Sequence, residues 1–118
     1  MATSKEQIKD LVKYYWDKAV EIYPNINKNP PRVYFFTKTV VAGYAWDHSH
    51  FVSFNTTIAQ YNNPEDFEEV VAHEIAHRVQ AYLHPRSKNH GYCFHRIMKA
   101  LYGKSDEYHD LVVPSFLE

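Results

Sequence analysis

The segment from Asn63 to Pro85 constrains this chain more than any other. Asn63 is a good helix N-cap, and Pro64 is tolerated at the first helical position, where its missing N–H would be unpaired anyway. Glu65, Asp66, Glu68 and Glu69 then place negative charge at the positive end of the helix dipole. Pro85 cannot continue the helix, so the pattern predicts one running to about Leu83. Midway along it stands His73-Glu74-Ile75-Ala76-His77, in an apolar frame of Val70, Val71, Ile75 and Ala76. Residues four apart on a helix stack on one face, about 5–6 Å from each other. His73 and His77 therefore point the same way, and both rings can reach one metal ion. Glu74 faces the same side and can reach a water on that ion without joining the ligands. Two imidazoles and a carboxylate so arranged are the parts of a zinc-dependent hydrolytic site, with the metal acidifying a water and the carboxylate taking its proton. The five-residue pattern alone is short enough to arise by chance; its place mid-helix in an apolar frame gives it weight.

A catalytic zinc usually has three protein ligands and one open position. His84 shares nearly the same helix face but lies about two turns from His77, roughly 10 Å along the axis, which is too far. Gln80 and Leu83 stand where the extended metzincin motif requires Gly and His. His90 is the better third ligand: it follows a turn containing Pro85 and precedes Gly91, which lets the backbone come close and reverse. His95 is rotated well away from His90 on the following helix and reads as a solvated side chain. Glu107, His109, His48 and His50 are weaker alternatives.

The rest of the chain is expected to build an α+β frame around this helix. Ser4 and Gln7 have the form of a capping box, and Ile8, Leu11, Val12, Tyr15, Ala19, Ile22 and Tyr23 recur at helical spacing up to Pro24. Arg32 to Phe36, Ala42 to Trp46 and Phe51 to Asn55 are rich in aromatic and β-branched residues and read as strands. The last two are joined by the polar Asp47-His48-Ser49-His50 and are expected to form a hairpin. A further helix is predicted from about Gly91 to Tyr102, stopped by Gly103. The expected result is a small, mostly antiparallel three-stranded sheet packed with about three helices, as one domain over residues 1–118. The tail from Ser105 to Glu118 carries no clear signal.

Composition excludes several classes. The formal net charge of -1 gives no global attraction to nucleic acid or to an anionic membrane. No apolar run approaches the length of a membrane span, and the polar start of the chain lacks the apolar core of a secretory signal. A single cysteine, Cys93, allows no internal disulfide. A cytoplasmic monomer is expected. Eight histidines in 118 residues agree with metal chemistry.

The metal-helix motif, followed by His90-Gly91-Tyr92-Cys93-Phe94 and Met98, resembles the SprT-like metallopeptidases. Ala42-Gly43-Tyr44-Ala45-Trp46 is similar to that family's first-hairpin motif, and Phe51-Val52-Ser53-Phe54-Asn55 to the strand that precedes its metal helix. The resemblance covers about Val33 to Tyr102. It implies a minimal zincin-like fold, one zinc ion held by His73, His77 and His90, Glu74 as general base, and hydrolysis of peptide bonds, including those of proteins attached to DNA. Many members carry a C-terminal zinc ribbon of paired cysteines, which a chain with Cys93 alone cannot form. The oxyanion stabiliser is open among Tyr44, Tyr92, Tyr102, Tyr108 and His109.

Two other readings compete. A structural zinc site would be closed by four protein ligands, with Cys93 or His109 as the fourth. A nucleic-acid-binding regulator would use the stretch between Glu74 and Asp106, which has no acidic residue and holds Arg78, Arg86, Lys88, Arg96, Lys99 and Lys104. The plainer explanation of those charges is a solvated helix surface. As a binding surface they would give weak, sequence-independent DNA contact through Arg86, Lys88, Arg96 and Lys99.

Overall fold

A computed structural model describes residues 2–45, 49–105 and 111–118. Helix α1 spans Lys5–Ile22. Ser4 caps it by accepting from the Gln7 N–H, while the Gln7 side chain accepts from the Ser4 N–H, so two backbone donors at the helix start are satisfied together. Its buried stripe is Ile8, Val12, Tyr15, Trp16 and Ala19. Strands β1 (Arg32–Phe36), β2 (Gly43–Ala45) and β3 (Phe51–Asn55) follow, then the short helix α2 (Thr56–Gln60), the long helix α3 (Pro64–Leu83), α4 (Tyr92–Tyr102) and a 3₁₀ turn, Ser115–Leu117. The α+β class is as expected, and so are the ends of the three long helices.

The sheet order is β1-β3-β2. β2 pairs antiparallel with β3, the expected hairpin, but β1 pairs parallel with β3, so the sheet is mixed and the antiparallel expectation holds for one ladder of two. The reason lies in Asn55, which is fully buried at the end of β3. Its amide donates to the carbonyls of Lys38, Thr39 and Val41 at 3.1–3.2 Å. Its side-chain oxygen accepts from the N–H groups of Thr57 and Ile58. The Thr56 and Thr57 hydroxyls donate to the carbonyls of Phe36 and Thr37. The connection after β1 is thus drawn across the end of β3, and the chain re-enters the sheet on the far side as β2. The same bonds cap α2, a helix for which the sequence showed no apolar period.

α3 is the centre of the fold. It packs against α1, α4, β2 and β3, and Phe67, Val70, Val71, Ile75, Ala76 and Val79 along it are fully buried. A helix covered on several sides holds its side chains in fixed directions, as a catalytic constellation requires. The tail is placed by Asn62, whose side chain exchanges hydrogen bonds with both the N–H and the carbonyl of Val112 at 2.7 and 2.8 Å. No described helix is long and apolar enough to cross a membrane.

Candidate metal centre

His73 and His77 leave α3 one turn apart, as the spacing dictates. His90 arrives from the loop between α3 and α4. The three Nε2 atoms form a near-equilateral triangle, with His73–His77 at 3.1 Å and both distances to His90 at 3.0 Å. A tetrahedral zinc with Zn–N of about 2.0–2.1 Å separates its ligand nitrogens by about 3.3 Å, so the triangle fits such an ion to within a few tenths of an ångström. Burial first, then repulsion from His77, His90 and His95, lowers the His73 pKa to about 3. A neutral ring in this position keeps its lone pair free for a metal. Among the described residues these three form the one cluster of potential ligands. They are also the three named from sequence.

Phe94 forms the floor of the cluster. Its ring is buried, stacks on His77 at 4.4 Å between centroids, and meets His73 and His90 at 4.9 and 5.0 Å. Phe94, in sequence only one position of the His90-Gly91 motif, thus touches all three imidazoles.

Glu74 is 5% exposed, and burial raises its pKa to about 8. A cation beside it would oppose that shift. Gly43 of β2 packs directly on it: a Cβ at Gly43 would lie 2.9 Å from Glu74 Cγ and 3.2 Å from its Oε2. The carboxylate therefore depends on the hairpin's having no side chain there, a contact the sequence does not announce.

The cluster opens into a cleft of about 480 Å³. One wall is the run Val40–Ala45, and the other side carries His73, Glu74, His77 and His90. Leu111 and Val113 also line it, brought there by the Asn62 clasp on Val112. Nothing local in the sequence marks those two tail residues as part of a cleft.

The weaker candidates are dispersed. His50 bonds the Asn29 carbonyl and the Tyr82 hydroxyl, so both its ring nitrogens are occupied away from the cluster. His84 is exposed at the end of α3 and lines a smaller pocket that adjoins the cleft at His77 and Asn89, but it is not in the ligand cluster. His95 is exposed and bonds the Ser105 hydroxyl. Cys93 is half-buried and not in the ligand cluster. Of the oxyanion candidates, Tyr44 lines the cleft, while Tyr92 and Tyr102 do not. His48, Glu107, Tyr108 and His109 lie outside the described residues.

Comparison with known proteins adds to this geometry. The sequence model of the SprT-like family matches residues 6–111. The chain is 30% identical over 86 residues to Protein SprT of Actinobacillus succinogenes, a match covering 72% of this chain and 51% of that protein. The chain thus spans about half the length of the curated relative it matches. No solved structure matches it.

Proposed function

This chain belongs to the SprT-like family, and from that premise we propose that it is a zinc-dependent endopeptidase in which His73, His77 and His90 hold the metal and Glu74 is the general base. The observation that carries this reading is the convergence of three imidazole nitrogens at 3.0–3.1 Å beside a buried carboxylate, in one cleft. When bound, zinc would supply Lewis acidity, acidifying water and polarising a carbonyl. The chain's own residues do the rest. Glu74 accepts the proton of the attacking water on a carboxylate oxygen and can return it to the departing amine. The apolar packing around α3 keeps His73, His77 and Glu74 in fixed directions. Among the described residues β2 pairs only with β3, and its residues line the cleft. An extended peptide can therefore lie along that edge as a further strand, bonded through its main chain. The direct test is metal analysis of the purified protein together with cleavage of an unstructured protein such as casein. One zinc per chain and chelator-sensitive cleavage are expected; a zinc-free protein that cleaves casein would defeat the reading.

Gly43→Ala should retain the metal yet lower activity. The new methyl collides with Glu74 Cγ and displaces the base by several tenths of an ångström. Misplacement of about 1 Å reduces rates by as much as on the order of 10²-fold. The check is kcat at full zinc occupancy, and a variant within a few-fold of wild type would disconnect Gly43 from the base.

The same reading includes weak contact with single-stranded DNA. Arg86, Lys88, Arg96 and Lys99 are all exposed, and Arg96 lies 5.7 Å from the ring of Tyr92, which is 75% exposed. Arg78 is buried and drops out of the basic surface that the sequence suggested. A few phosphate contacts give binding that falls on the order of tenfold between about 50 and 200 mM salt, with stacking on Tyr92 as a second contribution. Replacing Arg86, Lys88 and Lys99 together by Glu should abolish the binding of a labelled oligonucleotide and leave zinc content unchanged. Binding that survives this change would place the contact elsewhere.

A further inference from the structure

His90 reaches the two helix imidazoles from a backbone with φ of +57°. Residues with a Cβ seldom adopt this left-handed region, and they keep it where the surroundings leave no alternative. The surroundings here are specific. The Gly91 N–H donates to the Lys88 carbonyl at 3.1 Å, closing a turn with Asn89 and His90 at its centre. The same carbonyl accepts a second bond, at 2.8 Å, from the side-chain amide of Gln80. That amide also donates to Ser87 Oγ at 2.7 Å, and Ser87 Oγ in turn donates to the His84 carbonyl at 2.8 Å. Gln80 is 4% exposed and stands on α3 three residues beyond His77. One end of the latch is therefore the rigid helix that carries two of the imidazoles, and the other end is the turn that presents the third.

We propose that Gln80 is the positioning residue for His90, its amide fixing the Ser87–Lys88 backbone so that the turn delivers His90 to the metal cluster. The inference rests on the reading of His73, His77 and His90 as zinc ligands. The chemistry suits the residue: the turn offers a carbonyl and a hydroxyl oxygen, and a primary amide supplies two N–H donors in a fixed fork. Glu has the same shape but no such donors, and Met has neither donors nor a fork. Without the fork, the Lys88 carbonyl keeps only the Gly91 bond, and the His90 backbone is free to relax toward ordinary φ values, which turn the ring off the cluster. Outer residues that orient a metal-bound histidine typically contribute 10–100-fold in metal affinity.

The test is a double-mutant cycle on the full chain, with zinc affinity read by competition with a chromogenic chelator. Gln80→Met is expected to weaken zinc binding by on the order of 10–100-fold. In a His90→Ala background, where no third imidazole is left to position, the same replacement is expected to change zinc affinity less than twofold. Gln80→Glu provides a second variant of the same size should Gln80→Met fail to fold, and is expected to behave alike. Cobalt(II) in Gln80→Met should show a visible band shifted toward that of His90→Ala. Equal losses in both backgrounds would make Gln80 a general support of the fold and overturn the proposal. An unchanged affinity in Gln80→Met or Gln80→Glu would overturn it as well. If His90→Ala alone binds zinc as tightly as wild type, it is the ligand assignment that falls, a result visible before Gln80 is touched.

Discussion

Glu74→Gln is expected to reduce peptide hydrolysis by on the order of 10²–10⁴-fold, the usual contribution of a general base, with zinc content unchanged. The substitution keeps the shape of the side chain but exchanges the carboxylate for a neutral amide that cannot take a proton. The packing against Gly43 is preserved, so loss of activity reports chemistry rather than collapse of the hairpin. Activity within a few-fold of wild type would remove Glu74 from the mechanism. The same variant has a second expected result in the metal-free protein. Burial raises the Glu74 pKa from 4.5 to about 8. Below pH 4.5 the group is neutral both folded and unfolded, and stability is unaffected. Between pH 4.5 and 8 the unfolded chain releases a proton that the folded chain retains, so stability falls as pH rises through that window. The amide that replaces the carboxyl has no proton to release. Metal-free Glu74→Gln should therefore be more stable than wild type at pH 8, by on the order of a few kcal/mol, and equally stable below pH 4.5. Denaturant titrations at the two pH values measure both.

The second large effect concerns the proposed zinc ligands. A ligand that binds only the folded state stabilises it by about 4 kcal/mol when present at a thousand times its Kd. In a domain of this size that corresponds to a rise in Tm of about 10–20 °C. Chelation should lower the Tm of wild type by that amount and leave the protein folded, because the core of Trp16, Phe54, Phe67 and the α3 residues is complete without the metal. His77→Ala should start near the lower Tm, show no response to chelator, and have no measurable peptidase activity. A chelated wild type that is unfolded at room temperature would instead mark the cluster as part of the folding machinery. A His77→Ala variant that still responds to chelator would show that the metal is held elsewhere.

The sequence marks helix ends locally, and the structure follows it there. Ser4 and Gln7, Asn63 and Pro64, and Gly103 act on backbone groups within a few residues of themselves, so their effect can be read without knowing the fold. The imidazole cluster was legible for the same reason: His73 and His77 need only the pitch of one helix. The parallel pairing of β1 with β3 was not, because Asn55 acts on carbonyls 14–17 residues back along the chain. Gly43 against Glu74, Leu111 and Val113 at the cleft, and Gln80 against the His90 turn are likewise contacts between distant segments. Hydrophobic period and capping grammar say nothing of such pairs. The resemblance to a family supplied His90, which spacing alone only favoured.

Pairing of an extended peptide along β2, as proposed, has a consequence for what such an enzyme selects. Main-chain atoms are the same in every protein, so pairing along β2 discriminates little between sequences. What it does require is a short stretch of target chain free of its own structure. A folded target provides this only through local opening, whose free energy ranges from near zero in loops and termini to the full stability of the core. Cleavage then follows the population of the open form. Under the proposed function, the choice of victim is made less by the protease than by the target's own thermodynamics: frayed, damaged or partly unfolded proteins are cut, and well-packed neighbours survive contact with the same site.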